Sequence, residues 1–269
     1  MQHTKPVLFN TGTYVGKETS QFVFEGVISS ETRYGDHMVS DWHCHRNPHF
    51  SHILSGGSRE VREDGAANQH AGAALYYYPG IAHQNVGYQE GTRIFNLEFT
   101  PAFFDKYGMD VPGESWMCAP EVQWNTSGLV QIMAEHYLND QVSALSVHQL
   151  CLKLLAPAGT GDKTVHPGWT VRIRDLLYDS WDLPLSLTEI SKTLDLHPVT
   201  VSKYFPRYFG LTIGDYLRKI KIEKALSMIR SGKHSLTEIA HHCGFSDQAH
   251  FIKTYKRFLG ITPNQYRKL

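Results

Sequence analysis

Five histidines in the first third of the chain have a spacing that could bind a metal ion or a small ligand. The stretch WHCHRNPHF contains His43, His45 and His49, and His52 and His83 follow it. Neutral imidazole is the commonest protein ligand for transition metals, and three nitrogens with open coordination positions form a catalytic type of metal site. The same side chains could instead line a small-molecule pocket or serve only in packing. The strands or loops that hold these histidines decide which of the three roles applies.

Short apolar segments bounded by Gly, Asn and Pro predict the β-strands that would carry these histidines. Four such segments, SHILSGG, SREVRED, AALYYYPG and TRIFNLEFT, lie between residues 51 and 100. Evenly spaced strands of this length indicate a small sandwich or barrel. On a strand, side chains two residues apart point to one face, so His43 and His45 would converge. His83 could then supply a third nitrogen.

Composition predicts a folded protein without a membrane span. Of the 269 residues, 41% are apolar and 19% charged, which is typical of a packed core. The chain has no run of eighteen apolar residues and no charged start followed by an apolar stretch, so we expect neither a transmembrane helix nor a secretory signal. Cys44, Cys118, Cys151 and Cys243 form no CxxC pair and predict free thiols in a reducing cytoplasm.

The zero net charge of the chain hides an asymmetry between its two parts. Residues 1–164 contain 10 Lys and Arg against 17 Asp and Glu, whereas residues 165–269 contain 16 against 9. The C-terminal part therefore has a net charge of +7. This split favours a polyanionic partner for the C-terminal part alone, although a charge of this size also arises by chance.

The C-terminal part contains an internal repeat. LTEI occurs at residues 187–190 and again at 236–239, and FGLT at residues 209–212 is followed by LGIT at 259–262. Matches in the same order at a period of about fifty residues indicate a duplicated unit.

Each repeat unit has the pattern of two short helices around a tight turn. Ser186 with Glu189, and Ser235 with Glu238, predict capping boxes at the start of the first helix of each unit. Gly244 falls where that helix must stop in the second unit. Such a pair predicts a helix-turn-helix whose second helix can enter a DNA major groove. The alternative is a four-helix structural module.

The segment between the two units predicts a rigid connecting helix. Thr212–Arg230 has an apolar face at helical spacing and several basic residues off that face. If both units bind one face of B-DNA, this helix should hold the two recognition helices about 34 Å apart.

The second unit resembles a known family signature. Ile239–Arg267, IAHHCGFSDQAHFIKTYKRFLGITPNQYR, is similar to the signature of AraC/XylS-type transcription regulators. The resemblance covers about residues 168–269. It implies binding to double-stranded DNA, contact with RNA polymerase during activation, and a homodimer.

The first unit matches the signature less tightly. Asp195 stands where Gly is frequent, and His197 stands where Ser or Thr is usual. Pro206 departs most, because a proline late in the first recognition helix should kink or end it. The orientation of Arg207 and Tyr208 is therefore left open.

Matching the signature position by position assigns the DNA contacts. Lys203 and Lys253 are the principal candidates for guanine acceptors, although lysine lacks the bidentate geometry of the arginine that is common in the family. His250 has an equally good interpretation as a structural residue at the helix start, and Arg257 as a solvated cation. The full predicted set is Val199, Thr200, Ser202, Lys203, Arg207, Ala249, His250, Lys253, Lys256 and Arg257, with Lys256 and Arg257 as phosphate contacts.

The N-terminal part resembles a cupin barrel, the sensor fold on many AraC-type regulators. The order His43-x-His45, His49 in place of the usual Glu, and later His83 is similar to the two cupin motifs, with spacings off by one. Within the run YYYP, Tyr77 is a pocket candidate, although core packing is the favoured role. The predicted ligand pocket comprises His43, His45, His49, Tyr77 and His83. Of these, His43, His45 and His83 are the possible metal ligands, but a pocket-lining role is preferred to a bound metal.

Residues 101–165 change to helical patterns. PAFFDKYG, SGLVQIMAEHYLND and SALSVHQLCLKLLAP predict three helices. Leu145, His148, Leu152 and Leu155 lie close to one helical face, which the resemblance implies is a dimer interface. The alternative is that these helices merely cover the barrel. APAGTGDKTVHPG is rich in small residues and predicts an interdomain linker.

The sequence thus predicts a multi-domain α+β protein. The expected order is a cupin-like ligand-sensing barrel (1–100), a helical dimerisation segment (101–155), a linker (156–168) and an all-α double helix-turn-helix (169–269). The predicted function is a cytoplasmic, non-enzymatic, sequence-specific transcriptional regulator, an activator controlled by a small ligand in the barrel. No cofactor is required by this prediction. Two alternatives are a metal-dependent cupin enzyme fused to a DNA-binding domain, and a DNA-binding protein whose barrel only dimerises.

Overall fold

The computed structural model describes residues 5–113, 126–155 and 167–269. Most of the predicted linker and Cys118 lie outside these ranges. The strands are β1 Val7–Phe9, β2 Lys17–Phe24, β3 Val27–Arg33, β4 His43–His45, β5 His49–Ser55, β6 Gly57–Arg62, β7 Gly65–His70, β8 Ala74–Tyr77, β9 Gln84–Val86 and β10 Arg93–Phe99. The helices are α1 Pro101–Tyr107, α2 Thr126–Leu138, α3 Ser143–Leu155, α4 Gly168–Asp179, α5 Leu187–Leu194, α6 Pro198–Phe209, α7 Ile213–Ser231, α8 Leu236–His242, α9 Gln248–Leu259 and α10 Pro263–Lys268.

The strands form three sheets in an N-terminal sheet domain. Five strands pair in the order β2-β3-β10-β5-β8, three in the order β7-β6-β9, and β1 pairs in parallel with β4. The four segments predicted as strands correspond to β5, β6, β8 and β10, so their prediction is confirmed. The expected closed cupin barrel is not confirmed, because the hydrogen-bonded ladders of the described strands do not join into one closed sheet. Strand patterns predict faces but do not determine which edges pair.

The three helices after the sheets pack against them. His148 in α3 is buried, with Nε2 2.8 Å from the Phe24 carbonyl oxygen and Nδ1 2.7 Å from the Tyr107 hydroxyl. Leu155 is also buried, whereas Leu145 is 75% exposed. The helix face predicted to form a dimer interface is therefore largely occupied within the chain. The dimer stays a prediction.

The C-terminal helices reproduce the predicted double helix-turn-helix. Both capping boxes are present, at Ser186 with Glu189 and at Ser235 with Glu238. Asp195 ends α5 in the left-handed conformation at φ 55°, the conformation for which glycine is usually chosen. The connecting helix is α7, which spans the predicted segment. None of the described helices is long and apolar enough to cross a membrane.

The helix α6 continues through Pro206 and ends only after Phe209, at Gly210. Of the two predicted outcomes, a kink or an end at Pro206, the structure rules out the end. A proline late in a helix removes one backbone donor, but its fixed φ is compatible with helical geometry. Arg207, which follows the proline, remains on the exposed surface of the helix.

The two helix-turn-helix units belong to different hydrophobic cores. The first unit has its own core, which includes Ile190, Val201 and Phe205. The second unit shares the core of the sheet domain, so that Phe251 belongs to the same cluster of buried side chains as Phe95. Cys44, Cys151 and Cys243 are buried free thiols, as predicted.

Candidate nucleic-acid interface and histidine cluster

The helix α9 presents a row of exposed side chains. Asp247 caps the helix by accepting a hydrogen bond from the His250 amide at 2.7 Å. Ala249, Lys253 and Lys256 are all exposed, and Phe251 on the opposite face is fully buried. The helix is therefore anchored on one side and leaves its predicted base-facing side open.

Two of the predicted DNA contacts on α9 have partners inside the protein. Nδ1 of His250 lies 3.1 Å from the Ser246 hydroxyl, and its ring packs edge-on against Phe245 at 5.3 Å. This geometry favours the structural interpretation of His250. Arg257 donates a hydrogen bond of 2.6 Å to Asp215 at the start of α7, so it ties the second unit to the connecting helix.

The helix α6 presents the corresponding row in the first unit. Val199 is 63% exposed, an unusual position for a large apolar side chain, and Ser202 and Lys203 are also exposed. Thr200 is half-buried. The Lys203 ammonium lies 5.5 Å from the ring centre of Tyr204, which holds it along the helix. Apolar and cationic groups side by side suit a thymine methyl and guanine acceptors.

The structure brings the predicted pocket histidines together. His43 and His45 lie on β4, and His83 lies opposite His43, joined to it by two backbone hydrogen bonds of 3.0 and 2.9 Å. One ring nitrogen from each lies within 4.8 Å of the others. All three side chains are buried. We call these three residues the histidine cluster.

His49 and Tyr77 lie beside the histidine cluster. The ring centre of His49 is 4.3 Å from that of His45, and the His49 ring stacks on Tyr77 at 4.6 Å. The Tyr77 hydroxyl donates a hydrogen bond to the Glu60 carboxylate, which also accepts a bond of 2.6 Å from Gln69. The five predicted pocket residues are therefore neighbours.

Burial keeps these imidazoles neutral. Removal from water lowers the pKa of His49 to about 3 and that of His83 to about 4, in each case because desolvation penalises the charged ring. The same cause lowers the pKa of His43 and His45. A neutral imidazole has one nitrogen lone pair free to bind a ligand.

The N-terminal segment covers the cluster, a feature that sequence reasoning missed. The Phe9 ring stacks on His43 at 4.7 Å, and the Tyr14 ring lies 5.3 Å from His45. Buried Glu98 holds this segment by accepting hydrogen bonds from the Tyr14 hydroxyl at 3.1 Å and from the Gly12 amide at 3.0 Å. No local pattern indicates this cover, because it depends on the parallel pairing of β1 with β4.

The space inside the cluster is small. A cavity of about 30 Å³ is bounded by the histidine cluster together with side chains such as Ser51, Asn96 and Tyr88. One water molecule occupies roughly 10–15 Å³ by this measure, so the cavity accommodates about two waters or one ion. Drug-sized ligands occupy pockets of about 300–1,000 Å³.

A larger cavity lies between the sheet domain's helices and the DNA-binding helices. Its volume is about 450 Å³, and it is lined by Gln131 and Lys153 on one side and by Asp215, Arg257 and Phe258 on the other. Sequence reasoning did not predict this cavity, since its two walls come from distant segments.

Strand β5 connects the two candidate sites. His49 and Ser51 face the small cavity, whereas His52 points the opposite way, with Nε2 3.1 Å from the Tyr266 hydroxyl in α10. Arg230 at the end of α7 donates hydrogen bonds of 2.6 Å to the Leu54 carbonyl and 3.1 Å to the Tyr266 carbonyl. One strand thus contacts the pocket on one face and the second helix-turn-helix unit on the other.

Gly72 allows this close approach. A Cβ at this position would lie 2.8 Å from the backbone nitrogen of Ser227 in α7, and its φ of +88° also disfavours other residues. The helix therefore rests directly on backbone of the sheet domain.

These features define a class of domain with two helix-turn-helix units joined by a rigid helix, both recognition faces being exposed. Residues 190–269 match the family described as "Helix-turn-helix domain". The C-terminal part of the chain is an AraC-type DNA-binding domain.

Curated relatives match part of the chain. The transcriptional activator RhaR of Yersinia pseudotuberculosis is 33% identical over 69 residues, covering 26% of this chain and 24% of the relative. An uncharacterized helix-turn-helix transcriptional regulator of Escherichia coli, YpdC, is 27% identical over 131 residues, covering 47% and 44%. The chain spans less than half the length of the curated relatives it matches.

One solved structure overlaps nearly the whole chain. ToxT from Vibrio cholerae is 13% identical and covers 90% of this chain and 97% of its own, with a TM-score of 0.37.

Proposed function

We propose that the protein is a sequence-specific, DNA-binding transcriptional regulator whose DNA affinity is set by an effector in the sheet domain. The observation that carries this proposal is that α6 and α9 expose equivalent faces. Both helices belong to the AraC-type domain. The two relatives described above are themselves named as transcriptional regulators.

Charge and helix geometry support DNA as the partner. Lys203 and Lys253 occupy comparable exposed positions, one on each recognition helix. Lys256 lies one turn further along α9, where a cation can neutralise a phosphate. The N-termini of both helices add backbone donors and a partial positive charge.

Strand β5 supports control by the sheet domain. A ligand that moves His49 on one face of this strand must also move its neighbours, and His52 and Leu54 contact the DNA-binding domain on the other face. Tightly packed elements transmit such shifts because they are poorly compressible. A ligand changes DNA affinity only as far as it distinguishes two arrangements of the domains.

Selection of DNA from a random-sequence pool with the full chain tests the DNA-binding function. We expect enrichment of two short sites about 10 base pairs apart, one for each recognition helix. Lys203→Ala and Lys253→Ala should each lose enrichment of one site. Lys17→Ala, an exposed lysine of the sheet domain, serves as the matched control and should enrich the wild-type sites. Recovery of random sequence by the wild-type chain would refute the function.

A variant that weakens the contact between the DNA-binding domain and β5 tests whether the sheet domain controls DNA binding. Arg230→Ala removes the hydrogen bond to the Leu54 carbonyl across this contact and the bond to the Tyr266 carbonyl within the DNA-binding domain, and we expect DNA affinity to change while the enriched sequence stays the same. Arg59→Ala, an exposed arginine on β6, is the control. Equal affinities in the wild type and both variants would exclude coupling through β5.

A further inference from the structure

A pair of side chains joins the two helices of the second helix-turn-helix unit. Thr237 lies in the first turn of α8, and Gln248 is the first residue of α9. The Thr237 hydroxyl donates a hydrogen bond of 2.6 Å to the Gln248 amide oxygen. We propose that Gln248 recognises an adenine in the DNA major groove, and that Thr237 positions its amide for this contact. The inference rests on the proposed function and names one base that α9 recognises.

Gln248 lies at the end of α9 that a helix-turn-helix places against base edges. The N-terminal residues of a recognition helix contact the bases, while the first helix of the unit crosses the DNA backbone. Gln248 and Thr237 are both exposed. Lys253, the predicted guanine contact, lies five residues and about 7.5 Å further along the helix. The two side chains of α9 would therefore contact different base pairs of one site.

The residues that surround Gln248 offer a base edge less than its amide does. Ala249 ends in a methyl group, which forms no hydrogen bond. The carboxylate of Asp247 accepts a bond of 2.7 Å from the His250 amide and so serves as the helix cap. The His250 ring is oriented by the Ser246 hydroxyl, which lies 3.1 Å from its Nδ1. In this first turn of α9, the Gln248 amide is thus the group best placed to hydrogen-bond a base.

The hydrogen bond from Thr237 determines which groups Gln248 presents. A distance of 2.6 Å is typical of an O–H···O bond and short for an N–H···O bond, so the amide oxygen faces the hydroxyl. One lone pair of this oxygen stays free, and the amide nitrogen keeps both of its hydrogens. An acceptor beside a donor in one plane matches adenine, which presents its 6-amino donor beside the N7 acceptor. Guanine presents two acceptors there, and one of them would face the amide oxygen.

The first helix-turn-helix unit has only half of this pair. Thr188 is the second residue of α5, as Thr237 is of α8. The first residue of α6 is Pro198, whose side chain has no hydrogen-bonding group. The first unit therefore cannot make the corresponding contact, although its exposed threonine lies in the same place. Substitution of Thr188 provides a matched control.

Selection of DNA from a random-sequence pool by the full chain tests the two roles. Gln248→Ala should lower the preference for adenine at one position of the α9 site by about 5- to 150-fold, the discrimination of a bidentate pair. Thr237→Val, which is isosteric, should lower the same preference by about 2- to 12-fold, the net contribution of one hydrogen bond. Thr237→Ser should restore it. Thr188→Val should give the wild-type preference at every position.

Base analogues in the selected site test the contact with the wild-type chain, without dependence on how a variant folds. At the adenine in question, 7-deazaadenine removes the N7 acceptor and purine removes the 6-amino donor. Each should weaken wild-type binding by about 2- to 12-fold. Neither should weaken binding by Gln248→Ala further. Wild-type affinity that is unchanged by both analogues at every adenine of the site would overturn the inference.

The selection also separates this inference from the proposed function. A defined wild-type site that Gln248→Ala selects unchanged, or one in which guanine is the base affected, overturns the adenine contact and leaves the proposed function standing. Recovery of random sequence by the wild-type chain refutes the function and the inference together. A preference that Thr237→Val leaves intact, or that Thr237→Ser does not restore, rejects the positioning role of Thr237.

Discussion

The two helix-turn-helix units are alike in their local structure and unlike in their surroundings. Both begin with a capping box, at Ser186 and at Ser235, and both recognition helices end at a left-handed glycine, Gly210 or Gly260. The first unit packs around its own core, whereas the second shares the core of the sheet domain.

The difference indicates how the two units can respond to the sheet domain. A shift of β5 acts on the second unit directly, through His52 and Leu54. It reaches the first unit through α7, whose N-terminal end is tied to the second unit by the Asp215–Arg257 ion pair. Identical local sequence patterns therefore do not imply identical roles.

Removal of one buried phenylalanine from each recognition helix is the strongest test of this comparison. Phe205 and Phe251 are both fully buried, so each substitution by alanine should cost about 3–5 kcal/mol of the free energy of unfolding. Phe205→Ala should lower hydrogen-exchange protection in α4–α6 and in the N-terminal half of α7, but not in β5. Phe251→Ala should lower it in β5 and α9 together. Unchanged protection of β5 in Phe251→Ala would show that the second unit is not joined to the sheet domain.

Lowering the pH should weaken the contact between β5 and the second unit, which the core of the first unit lacks. Burial, with help from the Arg230 cation and against the Ala73 carbonyl, lowers the pKa of His52 to about 4. The unfolded chain takes up this proton near pH 6.5 and the folded chain only near pH 4. The contribution of neutral His52 is thus present above pH 6.5 and lost as the pH falls toward 4, on the order of 2 kcal/mol by pH 5.

Thermal unfolding of His52→Gln between pH 7 and pH 5 measures this contribution. The variant should lose less stability than the wild type over this range, because it has no ring to protonate beside Tyr266. Parallel curves for the two proteins would mean that His52 does not couple the contact to pH.

Substitution of the two equivalent lysines compares the recognition faces. Lys203→Ala and Lys253→Ala should each cost about 1–3 kcal/mol of specific binding and relax the preference at one base position. The relaxed position should lie in a different half of the selected site for each variant. A base preference identical to that of the wild type would exclude a base contact for that lysine.

Lys256→Ala should have the smallest effect of these changes. As a phosphate contact, Lys256 contributes to all sequences alike, so its loss should weaken every site equally and reduce the slope of binding against salt by about 1. Titrations at several salt concentrations measure this slope. An effect confined to one sequence would contradict a phosphate role.

The C-terminal part of this structure was predictable from its sequence. The repeat, both capping boxes and the connecting helix follow from residues within a few turns of one another. Pro206 was the exception, since the tendency of proline to end helices is weaker than the packing of Phe205 and Phe209 on either side of it.

The arrangement of the sheet domain was predictable only in part. Strand alternation predicted that His43 and His45 lie on one face, because alternation along a strand is local. The place of His83 followed from the resemblance to the cupin motifs. The open edges of the sheets, the cover by Phe9, and the contact between His52 and Tyr266 were not predictable. The last pair is separated by 214 residues in the chain, and no short-range pattern links them.

Because side chains alternate along β5, substitutions at odd and at even positions should give different mutant phenotypes. Odd positions such as 49, 51 and 53 face the sheet domain's interior, and even positions such as 50, 52 and 54 face the shared core or α10. Within the proposed function, substitutions at odd positions should leave a regulator that no longer responds to its effector. Substitutions at even positions should leave a regulator whose DNA binding is fixed, either constitutively on or constitutively off, whether or not the effector is present. A genetic screen of seven consecutive codons would thus display the two faces of a single strand as two classes of mutant.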